Sequence, residues 1–412
     1  MAELYEIRIE KLVFGGDGLA RLPDGRALFV PFVLPGELVR VHLTEEKARY
    51  VRAYPEVILE SSTDRIPPRC PYFTICGGCH YQHLSYHKQL EVKLAILKDQ
   101  LERIGGISNP PLKGIIPSDA IWNYRNQVQF HITEEGKLGF KDFTGASILP
   151  ISECHLPQPE IDAAWKQIEF EPGTDIQRIS LRQDSFDEVV LLLEGSEEIA
   201  PEMTLDLPLS VCYLAPDGST TTLAGDDAIT YQIKDKILSI SPESFFQVNT
   251  AQAEKMIDYI CATLPADKKL EILELYSGVG LFSLFLAPYA RHLTAIESSL
   301  SACYDFAINM DTFDNISLYE ASVEDTLPAL DIKPDVVLLD PPRSGMAKAA
   351  RDALIALSAP LVIYISCDPA TLSRDLKAFL AKGYQLDEIK AFDMFPQTYH
   401  IESIAILHKQ DM

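Results

Sequence analysis

LEILELYSGVG, residues 270–280, is a short apolar run that stops on a glycine turn, and the chain on its C-terminal side repeats the same theme. Apolar runs recur as LTAIES (293–298), ISLYEAS (316–322), DVVLLDPP (335–342) and LVIYISC (361–367). Between them lie helix-length segments around 279–290, 299–312, 346–358 and 369–382. Strand-like runs alternating with helices predict a doubly wound, mostly parallel sheet, an α/β fold of Rossmann type. QLDEIKAFDMF (385–395) and HIESIAILHK (400–409) follow with a short connection and are expected to close the sheet as a hairpin.

Sheets of this kind bind ligands at the carboxyl ends of their strands. Gly278 and Gly280 open a helix after the first run, but the third glycine of the dinucleotide fingerprint is missing, which disfavours NAD. Glu297 ends the next run, where a carboxylate can accept ribose hydroxyls; turn and acid together fit S-adenosylmethionine (SAM). Asp340 sits at a third strand end, followed by Pro341, Pro342 and Arg343. Enzymes that methylate exocyclic amino groups place a stacking aromatic after such prolines, so Arg343 argues against that chemistry. Cys367 ends the last parallel run beside Asp368 and Pro369, which suit a helix start. A helix dipole there favours a thiolate, the environment of a nucleophilic cysteine. Cys212, Cys261 and Cys303 are expected in the core.

Residues 4–58 alternate apolar and polar positions in short runs broken by GGDG, LPDG and LPGE, the pattern of a small OB-like β-barrel. A linker is expected near 60–68, then the cysteines Cys70, Cys76 and Cys79 in CPYFTICGGCH, then a helix within 85–106 closed by Gly105 and Gly106. Residues 121–235 read as a central α+β segment. The expected domains are therefore 1–60, 61–235 and 236–412.

The 412-residue chain is 47% hydrophobic and 23% charged, which excludes wholesale disorder. Its net charge of -24 argues against a nucleic-acid partner until the distribution is considered. Residues 1–160 hold 18 basic and 20 acidic side chains, and the rest of the chain 18 and 40, so any grip on RNA belongs to the first 160 residues. No run of 18 apolar residues occurs, and three glutamates stand within the first ten residues where a signal peptide would be basic. A cytoplasmic protein without membrane contact, a monomer, is expected, and in that reducing compartment the eight cysteines are not disulfides.

Taken together these motifs resemble the RNA uracil-C5 methyltransferase family, in its branch with a TRAM domain and an iron-sulfur cluster. The resemblance runs along nearly the whole chain: the barrel, the CPYFTICGGCHYQHLSYHKQL segment, ESFFQVNT, ELYSGVGLFS, DPPRSG, SCDPATLSRDL and DMFPQTYHIES stand in the family's order. It implies Cys367 as nucleophile and Glu402 as base, with Gln247, Tyr276, Glu297 and Asp340 at the SAM site. It also implies that Cys70, Cys76, Cys79 and Cys154 ligate a four-iron four-sulfur (4Fe-4S) cluster. The C-x5-C-x2-C spacing with a distant fourth ligand is unlike the paired knuckles of structural zinc. The expected substrate is a uridine in structured RNA, 23S rRNA first and tRNA as the alternative.

One departure from the family is visible: its acidic loop after the third strand often carries an Asn, where this chain has Ala321 and Ser322, leaving Glu324 or Asp325 as substitutes. Phe245, Phe246 and Arg125 are expected beside the target base. Two other classes compete: a non-catalytic zinc-knuckle RNA-binding protein, which leaves Cys367 and Glu402 without a role, and an amino-methyltransferase, which leaves the thiol unused.

Overall fold

The computed structural model describes residues 4–201, 207–266 and 269–410. The chain forms two compact units. One comprises 1–99, 140–149 and 395–401, and the other 100–139, 150–394 and 402–412.

In the first unit, six strands (Leu4–Arg8, Lys11–Leu12, Gly18–Arg21, Ala27–Val30, Leu38–Glu46 and Tyr50–Glu60) form one curled sheet. The period-2 pattern sends Ile7, Ile9, Leu28, Val30, Val39, Val41 and Val51 into a single aliphatic core. The segment after the barrel is fastened to it. Glu37 is fully buried and accepts from Arg65 Nε at 2.6 Å and from the backbone N–H of Leu34 and Ser62. Burial alone would raise this carboxyl's pKa, but Arg65 and those N–H groups outweigh it and hold it below its ordinary value.

In the second unit, the predicted parallel sheet is present and larger than the repeat implied. Its order is Ile316–Glu320, Ala290–Glu297, Leu270–Leu275, Val336–Leu339, Leu361–Ser366, Glu402–Lys409, Tyr384–Phe392 and Leu112–Ile116. The first five strands are parallel. The inner strands Leu270–Leu275, Val336–Leu339 and Leu361–Ser366 are almost wholly buried, as strands covered on both faces must be, whereas the edge strand Ile316–Glu320 is not. The C-terminal pair is antiparallel as expected, and Leu112–Ile116 adds a further strand that the local pattern did not announce. Strand order reverses between Leu270–Leu275 and Val336–Leu339, which opens the crevice at their carboxyl ends.

The central residues form a mostly antiparallel sheet in which Gln127–Ile132, Ile176–Gln183, Val189–Gly195, Ser210–Leu214 and Thr220–Ala224 are successive neighbours. Among the described residues, no helix is long and apolar enough to cross a membrane.

Candidate active site

The glycine turn after Leu275 is built for close backbone approach. Tyr276 and Gly278 have φ of 62° and 55°, and Gly280 has 89°. A side chain on Gly280 would be strained by that φ and would meet Met310 Cε at 2.9 Å and Phe306 at 3.0 Å. Glu297 braces the turn, accepting from Gly278 N at 2.8 Å and from Ser298 N and Ser299 N at 2.7 and 2.8 Å. A carboxylate has about four acceptor positions, so one remains on the oxygen facing Gly278 for a hydroxyl.

The loop after the third strand resolves the two acidic substitutes. Ser322 caps the short helix Val323–Thr326, and its hydroxyl donates to Asp325, which occupies that carboxylate. Glu324 instead accepts from the Tyr276 hydroxyl at 3.0 Å, so it stands beside the glycine turn.

Gln247 lies in an irregular loop held by its carbonyls. Asn126 Nδ2 donates to Gln247 O at 3.0 Å, Asn126 N to Val248 O at 3.0 Å, and the buried Arg182 donates to Ser244 O at 2.8 Å. On this loop Phe245 is 71% exposed. Phe246 is not available to a base: it is buried, stacked on Tyr231 at 4.5 Å, because the loop needs one aromatic as its anchor. Arg125 lies over the Tyr124 ring, its carbon 5.9 Å from the centroid.

Backbone register brings the thiol and the last carboxylate together. The antiparallel pairing sets Ser366 opposite Ser403, so the next residue of one strand, Cys367, is level with the preceding residue of the other, Glu402. Asp340 N donates to Leu275 O, which places this residue at the end of the adjacent strand, next to the glycine turn. Glu402 is buried, and burial together with the nearby Asp340 raises its pKa well above 4.5, while Arg343 opposes. Burial also raises Asp340, to about 7. Two carboxyls in one desolvated site cannot both ionise cheaply.

The environment of Cys367 corrects the dipole argument. Burial pushes its thiol up to about 12; Glu402 and Asp340 add to the rise and Arg343 opposes it. The N–H groups at the start of the helix Pro369–Leu380 are spent on Asp368, whose carboxylate accepts from Ala370 and Thr371 at 2.8 and 2.9 Å. The helix end is therefore answered by a carboxylate, and the cation that eases thiol ionisation is Arg343. Sequence reading had given Arg343 only an excluding role; its place directly after a strand-end Asp-Pro-Pro was the available signal. It also passed over Glu274, fully desolvated on the first strand, hydrogen-bonded by Ser283 Oγ and raised to about 8 by burial.

Cys70, Cys76 and Cys79 lie in the first unit and Cys154 in the second, all half-buried. Tight turns bring the first three close along the chain: Phe73 N and Cys76 N donate to Cys70 O and Tyr72 O, and Gly78 N donates to Cys76 Sγ at 3.4 Å. Among the described residues, no three or more His, Cys, Asp or Glu side chains converge as a metal site. Cys212 and Cys303 are buried, and Cys261 is half-buried.

Residues 226–410 match the tRNA (uracil-5-)-methyltransferase family, and residues 3–55 match the TRAM domain. An RNA methyltransferase of Aquifex aeolicus is 34% identical, covering 98% of this chain and 99% of its own. The chain belongs to the RNA uracil-5-methyltransferase family. Another RNA methyltransferase, from Caldanaerobacter subterraneus, is 32% identical over 99% of both chains. A solved tRNA (uracil-54, C5)-methyltransferase of Pyrococcus abyssi, in complex with S-adenosyl-L-homocysteine, superposes with a TM-score of 0.75 at 26% identity, covering 98% of this chain and all of that one. This uracil-5-methyltransferase is thus a SAM-dependent enzyme acting on RNA, with a TRAM domain at its N-terminus. Membership sets aside both the zinc-knuckle binding protein and the amino-methyltransferase.

Proposed function

We propose that the enzyme methylates carbon 5 of a uridine in 23S rRNA, with Cys367 as nucleophile and Glu402 as base. The observation that carries the chemistry of this reading, as distinct from the choice of RNA, is the pairing register that sets Cys367 level with Glu402 at the crevice, beside Asp340 and within electrostatic reach of Arg343. Carbon 5 of uracil is too poor a nucleophile to react unaided, so covalent catalysis is required. Cys367, its proton lost to water, adds to carbon 6 and drives the electron pair into an enolate that makes carbon 5 nucleophilic. Arg343 lowers the cost of that thiolate. SAM, when bound, supplies the electrophilic methyl group. Glu402 then takes the proton from carbon 5, and the electrons of that bond expel Cys367, restoring the double bond.

Gln247, Tyr276, Glu297 and Asp340 are assigned to the SAM site. The acceptor position left on Glu297 fits a ribose hydroxyl, and Glu324, bonded to Tyr276, replaces the family's Asn on the adenine side. Phe245, exposed on the Gln247 loop, is assigned to stack on a base drawn out of the RNA. Residues 1–60 and 61–235 are assigned to RNA selection and 236–412 to catalysis.

Cys70, Cys76, Cys79 and Cys154 are assigned as ligands of a 4Fe-4S cluster. Cysteine sulfur is the donor that such a cluster takes, and the N–H of Gly78 on Cys76 Sγ is the kind of contact that tunes cluster sulfur. Its role is to fix the RNA-binding residues; the methyl transfer needs no redox step.

A second reading, a tRNA uridine, is favoured by the likeness to the Pyrococcus abyssi enzyme. Mass-spectrometric mapping of 5-methyluridine in 23S rRNA and tRNA, with and without the gene, decides between them. Loss of one 23S site supports the proposal, loss of a tRNA site the second reading, and no loss in either overturns both.

A further inference from the structure

SCDPATLSRDL and DPPRSG are separate motifs, and the reading above uses only Cys367 and Asp368 of the first and Asp340 and Arg343 of the second. The structure joins what remains. Asp375 is fully buried in the helix that begins after Cys367. One of its oxygens accepts from Met346 N at 3.1 Å, Tyr364 Oη at 2.9 Å and Arg374 Nη2 at 3.0 Å. The other accepts from Arg374 Nε at 2.9 Å and Arg351 Nη1 at 3.2 Å.

The same Arg374 Nη2 reaches across to Ser344 O and Met346 O at 3.1 and 3.2 Å, and Thr371 Oγ1 donates to Arg343 O at 3.2 Å. The turn itself closes from Gly345 N to Pro342 O at 2.8 Å, with Gly345 at φ +70°. A Cβ there would lie 2.6 Å from Arg374 Nη2 and 2.8 Å from Asp375 Oδ2, so only glycine lets the turn seat on the helix.

We propose that Asp375 and Arg374 are positioning residues that hold the Pro342–Met346 turn against the Cys367 helix, and so fix Arg343 relative to the nucleophile. The proposal rests on the reading of Cys367 as the nucleophile. A fully buried carboxylate with five donors is far more than a surface helix needs for stability, and its donors come from the turn, the neighbouring strand and two helices. The charged groups that act on Cys367 are Glu402 from the last strand, Asp340 and Arg343 from the turn, and Asp368 from its own helix. Arg343 alone is a cation, so its placement governs how readily the thiol ionises. Loosening the turn therefore moves the thiol further above its ordinary range and slows attack at a given pH.

The test compares Gly345→Ala and Thr371→Val, each alone and combined with Arg343→Ala. The rate of covalent adduct formation with RNA carrying 5-fluorouridine at the target is read across pH, together with KM for SAM and the melting temperature. Gly345→Ala is expected to slow adduct formation about tenfold, to shift the rising limb of the pH profile upward by about one unit and to leave KM for SAM within about twofold. In the Arg343→Ala background it should have no further effect, since coupled sites are not additive. Thr371→Val removes the hydroxyl that reaches Arg343 O and also Asp368 O and Oδ1, and it carries the same prediction at smaller size should Gly345→Ala fail to fold. An unchanged adduct rate, or equal slowing with and without Arg343, overturns the proposal alone. Parent enzyme that methylates RNA yet forms no adduct overturns the reading of Cys367 and the proposal with it.

Discussion

At the scale of single residues, burial raises the pKa of Cys367, Glu402 and Asp340 together. Glu402 is the group whose removal separates two chemical steps. Glu402→Gln should still add to uracil and transfer the methyl group but release product slowly, so denaturing gels should show an accumulating enzyme-RNA species. Normal turnover of that variant would send the proton elsewhere. Glu274 gives a second residue-level prediction, this time for stability. Its folded pKa of about 8 lies above the ordinary 4.5, so the native state binds an extra proton between those values. The stability it contributes is fully present below 4.5 and is lost as pH rises through about 8. Glu274→Gln should flatten that part of a melting-temperature profile, and an unaltered slope would show that the carboxyl ionises freely.

At the scale of elements, the strand ends were legible and their electrostatics were not. Glu297, Asp340 and Cys367 each close an apolar run, and the inner strands Val336–Leu339 and Leu361–Ser366 are apolar almost throughout because both faces are covered. Leu112–Ile116 was not legible, since its burial is only partial and its partner is the distant strand Tyr384–Phe392. Nor could spacing show that Asp368 spends the helix start on itself, or that Phe246 turns inward onto Tyr231 while Phe245 does not. The barrel's alternation was readable, but its clasp was not, because Glu37 and Arg65 look like ordinary surface charges. Removing one partner of a buried pair strands the other, so Arg65→Met should destabilise the barrel by about 3 kcal/mol in chemical denaturation. Because the Glu37 pKa is depressed, this contribution is present at neutral pH and disappears as pH falls through its folded value. A change below about 0.5 kcal/mol would mean that the pair is exchangeable with solvent.

At the scale of the whole molecule, the charge asymmetry fits the proposed assignment of RNA selection to the N-terminal part of the chain. The acidic excess lies beyond residue 160, while the first 160 residues are close to neutral and carry the TRAM domain. RNA affinity should therefore weaken steeply with salt, and charge reversal at exposed barrel arginines should cost more than the same change on the catalytic half. The proposed iron-sulfur cluster belongs to this scale as well. Anaerobically purified protein should be brown, absorb broadly near ~400 nm and contain about four irons per chain. Colourless protein with one stoichiometric zinc would replace iron-sulfur with a structural zinc site.

The proposed covalent bond from Cys367 to carbon 6 of the uridine is the step on which the whole mechanism depends. Intact-protein and peptide mass spectrometry after incubation with SAM and RNA bearing 5-fluorouridine at the target tests it directly, because fluorine blocks loss of the carbon 5 substituent and traps the adduct. One nucleotide-linked peptide is expected, the one containing Cys367, with no adduct from Cys367→Ala, which should still bind SAM. An adduct on another residue, or Cys367→Ala that still methylates RNA, would contradict it.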